Sequence, residues 1–301
     1  MTACNAMIKR NVKLFFKDKG TFFTALITPM ILLVLYATFL YNVYYTSFES
    51  AIPEGVVYDK TVLEGLVGGL MISSLLAVST VTVSFCANLI MVQDRATGAR
   101  KDLTVAPLKP HTLAVGYYVS TAINGFLISM LALLGGMVYL AFTGWYLSFT
   151  DILLLFSDTV ILVLFGTALA SVVSFPLSTQ GQLSAVGSIV SAGYGFVCGA
   201  YMPISQFSQG VQNVMMFFPG TYGTSLVRTH ALSGACEDLL AQGLPTEMVD
   251  GIRNLADCNL YFFENQVPTW VSYVVLLGTI AALVGVYVLL NVLKSKKAQK
   301  K

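Results

Sequence analysis

The sequence is poor in charged residues. Only 11% of its 301 residues are charged and 56% are apolar, whereas about a quarter of the residues in a soluble domain carry charge. The uncharged stretch from Thr159 to Val227 is far longer than one membrane helix needs. This composition excludes an ordinary soluble domain and predicts an all-α polytopic membrane protein.

Residue patterns of catalytic and metal sites are also missing. The 2 histidines and 5 cysteines show no zinc-site spacing. The sequence contains no Walker A motif, no Gly-x-Ser-x-Gly motif, no His-Glu-x-x-His motif and no pair of carboxylates inside an apolar run. We therefore expect no catalytic residues, no metal and no cofactor bound by this chain.

Apolar runs predict six membrane spans in a single transmembrane domain over residues 1–301. They lie at about 22–45, 65–92, 112–142, 152–175, 183–201 and 267–293. Breaks around Pro176 and Pro203 divide the long uncharged stretch. With this arrangement 14 of the 17 Lys and Arg residues fall on one side, which the positive-inside rule assigns to the cytoplasm. Both termini are then cytoplasmic.

Residues 1–20 precede the first span and mix lysines with apolar residues. On a helix, Ile8, Val12, Phe15 and Phe16 share one face. The pattern predicts an amphipathic helix lying at an anionic membrane surface, and the alternative is a solvated basic tail. Inside the first span, Pro29 is expected to kink or loosen the helix.

A charged island interrupts the apolar sequence between the second and third spans. We use this name for residues 93–110, QDRATGARKDLTVAPLKP, which include Arg95, Arg100, Lys101 and Lys109. Because it is short and basic, we expect it to lie at the cytoplasmic surface. It is also the segment on which a driving partner would act.

Residues 202–266 are predicted to form an outer re-entrant hairpin and an extracellular loop. The piece NVMMFFPGTYGTSL is too short and too rich in Pro and Gly for a span. Further along, Leu244, Met248, Ile252 and Leu255 repeat at helical spacing and predict a small amphipathic helix over the outer mouth. An outer hydrophobic gate is one interpretation of this region and an ordinary interface helix is the other. The gate candidates are Met202, Phe207, Met215, Met216, Phe217 and Phe218.

Two further features leave alternatives open. Cys236 and Cys258, both in the predicted outer loop, are either bridged by a disulfide or free. Asp158 lies inside the fourth span if that span begins near Ile152, and at the interface if it begins at Thr159.

Several motifs, taken in order, resemble the ABC-2 family of ABC transporter permeases. The opening stretch IKRNVKLFFKDKGTFFTALITP is similar to the helix that leads into the family's first span. Asp94-Arg95, Gly98, Asp102-Leu103 and Pro107 resemble its loop pattern. Pro203, Pro219 and Arg228 resemble the stretch after its fifth span. The similarity covers nearly the whole chain.

The resemblance implies the membrane subunit of an ATP-driven exporter. In such a complex the chain is a dimer, either with itself or with a related permease, and two copies of a separate ATPase bind ATP and Mg. The charged island is then the coupling segment, and the alternative is a loop that only fixes topology. By this analogy its contact residues are Asp94, Arg95, Gly98, Arg100, Lys101, Asp102 and Leu103. The basic Arg100 and Lys101 imply an acidic groove on the ATPase.

A translocation path is expected between two copies, along the second and fifth spans. The polar candidates are Thr80, Thr82, Ser84, Asn88, Ser184, Ser188, Ser191 and Tyr194, which serve equally well as contacts between helices. The expected cargo is amphiphilic, such as a drug, toxin, peptide or lipid-like molecule, leaving a bacterial cytoplasmic membrane. Membrane lipids are expected partners and nucleic acid is not. Two other functions remain open, an ion-coupled secondary transporter that uses Asp158 and a non-transporting immunity or scaffold protein.

Overall fold

Long helices running back and forth make up the chain. The computed structural model describes residues 3–53, 55–100, 103 and 110–299. Its helices are α1 (Ala3–Lys17), α2 (Lys19–Leu35), α3 (Tyr41–Ser50), α4 (Thr61–Ala87), α5 (Leu89–Ala96), α6 (Pro110–Thr143), α7 (Phe149–Val173), α8 (Gln180–Val197), α9 (Gln209–Met215), α10 (Pro219–Ala241), α11 (Thr246–Leu255) and α12 (Thr269–Gln299). A short antiparallel hairpin of β1 (Leu260–Phe262) and β2 (Asn265–Val267) precedes α12.

Within the described part of the chain, five helices are long and apolar enough to cross a membrane. They are Lys19–Ser50, Thr61–Ala96, His111–Thr143, Phe149–Val173 and Thr269–Lys296. The predicted fifth span does form a helix, α8, but this helix is not among the five. The protein is therefore a multi-pass, all-α membrane protein, and the six-span arrangement stays a prediction.

Helix α4 is the centre of the bundle, with most of its residues buried. Its glycines permit this position, because a side chain there would collide with neighbouring helices. A Cβ atom at Gly69 would lie 2.6 Å from the carbonyl oxygen of Ala231 in α10, and one at Gly68 would lie 2.3 Å from the side chain of Leu140 in α6. Close approach of this kind is typical of small residues at membrane-helix interfaces.

The first long helix differs in detail from its prediction. It continues to Ser50, five residues past the predicted end of the first span at Tyr45. Pro29 lies within α2, and a π-helical turn follows it over Tyr36–Leu40. Such turns occur mostly as single insertions in α-helices and are frequent at functional sites.

Helix α1 forms as expected but buries a different face. The buried residues are Met7, Asn11 and Phe15, whereas Phe16 is exposed. Contacts with α6 decide this orientation, because the Asn11 amide donates to Ser120 Oγ at 3.2 Å and Met7 lies against Gly116. Of the predicted face, Phe15 is buried, Ile8 and Val12 are half-buried and Phe16 is exposed, so the buried face is rotated toward Met7 and Asn11.

The region after Pro203 is more helical than expected. The predicted pair is present as α9 and α10, but α10 extends to Ala241 and packs against α4, α7 and α12. Arg228, which falls within the predicted outer region 202–266, is fully buried inside this helix. The small amphipathic helix is α11, which buries Val249 and Ile252.

Two ends of the bundle can now be named. The basic end carries Arg10, Arg95 and Lys294, and the hairpin end carries the β1–β2 hairpin and Asp257.

Candidate translocation cavity and coupling segment

A cavity of about 670 Å³ opens between α2, α4 and α8. Apolar side chains such as Phe85, Leu89 and Leu183 form part of its wall, and hydroxyl groups line all three helices. The hydroxyl residues are Thr21, Thr24, Thr82, Ser184, Ser188 and Ser191. Ligand sites of this size are usually apolar with a few placed polar groups. The wall therefore suits a molecule that is mostly apolar and carries a few hydrogen-bonding groups.

Only part of the predicted path faces this cavity. Thr82, Ser184, Ser188 and Ser191 line it. The other candidates are buried between helices and act as packing contacts: Thr80, Ser84, Asn88 and Tyr194.

The two faces of α4 explain the division. Ser84 Oγ lies 3.3 Å from Thr167 Oγ1, and the Asn88 amide donates to the carbonyl oxygen of Ala170 at 2.9 Å, so this face contacts α7. The cavity face instead carries Thr82, Phe85 and Cys86. Both faces of α4 bear hydroxyl groups, so the sequence alone does not show which face lines the cavity and which contacts α7.

Three helix termini meet at the part of the cavity nearest the basic end. Asp18, Gln93 and Gln180 line it, and the sequence analysis named none of them as path residues. Asp18 caps α2, accepting from the Thr21 amide at 3.3 Å and the Thr21 hydroxyl at 2.8 Å. These hydrogen bonds lower the pKa of Asp18 and keep it ionised. Its carboxylate is thus one charged group in the lining of the cavity.

The first charged side chain of the charged island is engaged inside the protein. Asp94 is buried and forms a bidentate pair with Arg10 of α1, at 2.7 and 2.8 Å. The Tyr117 hydroxyl donates to the same carboxylate at 2.7 Å. The hydrogen bond to Asp94 raises the pKa of Arg10. Asp94 therefore fastens α1 and α6 to the island.

Arg95 is also bonded within the chain, and its partners are backbone carbonyl groups. Its guanidinium donates to the carbonyl oxygens of Ser174, Phe175 and Leu177, just past the end of α7. A cation at a helix C-terminus satisfies free carbonyls and complements the helix dipole. Arg95 therefore holds the end of α7 against α5.

The rest of the island is described in part. Gly98 adopts a positive φ of 82° just after α5, a conformation that favours glycine. Arg100 donates to the Asn291 side chain at 3.2 Å, and Leu103 is half-buried against the core under α1. Lys101 and Asp102 lie outside the described residues, as does Lys109.

A family model for the ABC-2 type transporter matches residues 2–231, well over half of the chain. The chain belongs to the ABC-2 type transporter family. No curated protein matched it in a separate comparison. As an ABC-2 protein, it is the permease component of an ABC transporter, which is a transport component and not itself catalytic.

At the hairpin end of this ABC-2 permease, a buried ion pair lies among four segments. Arg228 donates to Asp257 at 2.7 Å and to the carbonyl oxygen of Gly199 at 2.6 Å. Asp257 also accepts from the backbone amides of Ile204 and Ser205. Arg228 was noted in the sequence only as a matching position, and nothing in the sequence identified Asp257 as its partner.

The π-helical turn of the permease contacts this pair. The Tyr36 hydroxyl donates to Ser74 at 2.7 Å and lies 3.3 Å from the carbonyl oxygen of Ala200. Ser74 in turn lies 3.5 Å from the Arg228 guanidinium. The network therefore connects α2, α4 and α10 to the loop after α8.

The predicted gate residues take different environments. Met215 and Met216 are buried beside α10, and Phe207 is half-buried. Met202, Phe217 and Phe218 are exposed. The structure therefore does not gather the six into one surface.

Asp158 lies inside α7, about two and a half helical turns from its start, and is 1% exposed. Its carboxylate lies 2.6 Å from His230 Nδ1 and accepts from the Tyr273 hydroxyl at 3.0 Å. Both oxygens are engaged, so Asp158 connects α7 with α10 and α12.

Cys236 and Cys258 are free thiols in the structure. Cys236 is buried in α10 and Cys258 follows α11. Burial raises the pKa of both thiols and disfavours the reactive thiolate.

Proposed function

We propose that this permease exports an amphiphilic cargo across the cytoplasmic membrane of a bacterium. Membership in the ABC-2 family implies a partner ATPase. The observation that carries the proposal is that Gln93, the first residue of the charged island, lines the cavity. A displacement of the island therefore changes the wall of the cavity directly.

The coupling contact is proposed for the part of the island after Gly98. Asp94 and Arg95 are engaged within the chain, and they transmit movement rather than touch the ATPase. Lys101 and Asp102 are then the contact residues, because charged side chains give partner choice. Through Arg10 and Tyr117, the island displaces α1 and the start of α6 as a rigid unit.

The functional unit is proposed to be a dimer with two ATPase copies, which bind ATP and Mg. Ser184 and Ser188 of α8 are exposed as well as lining the cavity. A second copy facing α8 would enclose the path between the two chains. Both termini are cytoplasmic in this arrangement, with the basic end facing the ATPase.

The partner is tested by purification from native membranes in mild detergent, followed by mass spectrometry. The charge-swapped variant Lys101→Glu, Asp102→Lys keeps the net charge, and Lys296→Glu changes an exposed lysine on α12 as a control. We expect a Walker-motif ATPase with wild type and control but not with the swapped variant. Its absence from wild type, under conditions that preserve a dimer, contradicts the proposal.

The cavity is tested with Ser188→Trp, which fills it, against Val138→Trp, which adds the same side chain to an exposed position of α6. The first variant is expected to lose export of the cargo while still retaining the ATPase, and the second to keep both. Equal export by the two variants would show that cargo does not use this cavity.

A further inference from the structure

Three cations converge at the basic end without an acidic partner among the described residues. Arg95 Cζ lies 5.2 Å and Lys294 Nζ lies 5.3 Å from the centre of the same Phe175 ring. Arg100 donates to Asn291, one helical turn before Lys294 on α12. We call Arg95, Arg100 and Lys294 the three-cation cluster.

No carboxylate in the described part of the chain neutralises this cluster. Of the described carboxylates at this end, Asp94 is engaged by Arg10 and Tyr117, and Asp18 caps α2. The cluster is instead bonded to neutral acceptors, namely the carbonyls past α7 and the Asn291 amide. Like charges held together in this way repel each other unless an anion joins them.

Unpartnered donors point to the same conclusion. Among the described residues, Arg95 Nε, Arg100 Nη1 and the Ser174 hydroxyl are buried without a hydrogen-bond partner. Leaving a buried donor unpaired costs free energy, more so on a charged group. An oxyanion with several acceptor oxygens would satisfy them together.

The position of the cluster selects a lipid as the source of that anion. It lies where two apolar spans end, at Ala96 and Lys296, which is the depth of phospholipid headgroups. Helix α12 is the least buried of the five candidate spans in the described chain. Just before Lys294 it exposes Val286, Leu289 and Leu293, which can lie along an acyl chain.

We infer that the three-cation cluster binds the phosphodiester headgroup of an anionic phospholipid. Basic pockets between membrane helices bind such headgroups by the same chemistry. Because Arg95 also holds α7, a bound lipid joins α5, α7 and α12 at the base of the charged island.

The test is native mass spectrometry of the purified, full-length permease without any ATPase, titrated with phosphatidylglycerol or with phosphatidylcholine. Wild type is expected to retain phosphatidylglycerol preferentially. Arg100→Gln and Lys294→Gln should each weaken its binding about fivefold, as expected for roughly 1 kcal/mol per basic residue near the surface. Lys296→Gln, which removes the same charge outside the cluster, should not. Arg95 is left unchanged because it supports α7.

Three results would overturn the inference. The first is equal phosphatidylglycerol binding by wild type and both cluster variants. The second is displacement of the lipid by millimolar inorganic phosphate, which would identify a site for a free anion. The third is loss of ATPase co-purification in the cluster variants with lipid binding intact, which would identify a protein contact.

Discussion

Arg10 and Asp94, 84 positions apart in the sequence, form a two-pronged ion pair that fastens α1 to the end of α5. Each guanidinium nitrogen meets its own carboxylate oxygen, a geometry that makes the pair stronger and more specific than a single contact. The first helix and the charged island therefore form one mechanical unit.

Removal of this pair should release α1. Arg10→Gln leaves Asp94 with Tyr117 alone, and we expect the docking of α1 to weaken by about 1–3 kcal/mol. Backbone amides of α1 should then exchange with deuterium faster, while those of α12 should not change. Lys9→Gln, at an exposed position next to it, serves as the control. Unchanged exchange in Arg10→Gln would contradict a mechanical role for the pair.

The buried pair at the hairpin end should matter more for stability. Asp257→Asn leaves the Arg228 charge without its partner, and breaking a buried pair costs about 3–5 kcal/mol. We expect a clearly lower unfolding temperature, followed with a dye that reacts with thiols as Cys198 and Cys236 become exposed. Asp250→Asn removes a partly exposed pair with Arg253 and should cost about 0–1 kcal/mol. If the two substitutions lowered the unfolding temperature equally, burial would not determine how much an ion pair contributes to stability.

Packing between α4 and α10 should not tolerate a methyl group. In Gly69→Ala the new Cβ would meet the backbone of Ala231, which cannot move aside as a side chain can. Overpacking of this kind costs about 1–3 kcal/mol, and the unfolding temperature in detergent should fall. Gly135→Ala, where a Cβ meets no atom within 4 Å, should be neutral or stabilising. A stable Gly69→Ala protein would indicate a wider gap between the helices.

The carboxylate of Asp158 is predicted to be structural. Asp158→Asn should preserve ATP hydrolysis by the reconstituted complex with its partner ATPase, with or without an ionophore that collapses ion gradients. Its neutral amide can still bond to His230 and Tyr273. Asp151→Asn is the matched control, because Asp151 caps the same helix through Ser148. Transport that stops in Asp158→Asn and also depends on an ion gradient would support the ion-coupled alternative.

The cavity should admit a thiol reagent. Cys86 lines the cavity, whereas Cys198 is buried. A small maleimide should therefore label Cys86 in the folded protein and Cys198 only on unfolding, as peptide mass spectrometry can measure. Thr82→Trp, one helical turn away, should slow labelling of Cys86. Rapid labelling of Cys198 in the folded protein would contradict the packing around α8.

The sequence by itself determined the class of this protein and most of its helices. Hydrophobic runs and their charged borders specify where helices cross a bilayer, because each span must bury its own backbone polar groups. Both ends of α6 and α7 and the start of α12 consequently lie within three residues of their predicted positions, whereas α12 ends six residues later than predicted. The order of the short motifs also indicated the ABC-2 family, and the match to the family model confirmed it.

The tertiary structure decided which side chains meet. A helix with hydroxyls on two faces, such as α4, gives no periodic signal for the face that lines a cavity. Likewise, ion pairs between distant positions, such as Arg228 with Asp257, have no local pattern in the sequence. From the sequence, Arg10, Asp94 and Arg95 are expected to be surface charges, because charged side chains usually face water. In the folded chain Asp94 and Arg95 are engaged inside, because the carboxylate and the carbonyls at helix ends are partners that only packing supplies.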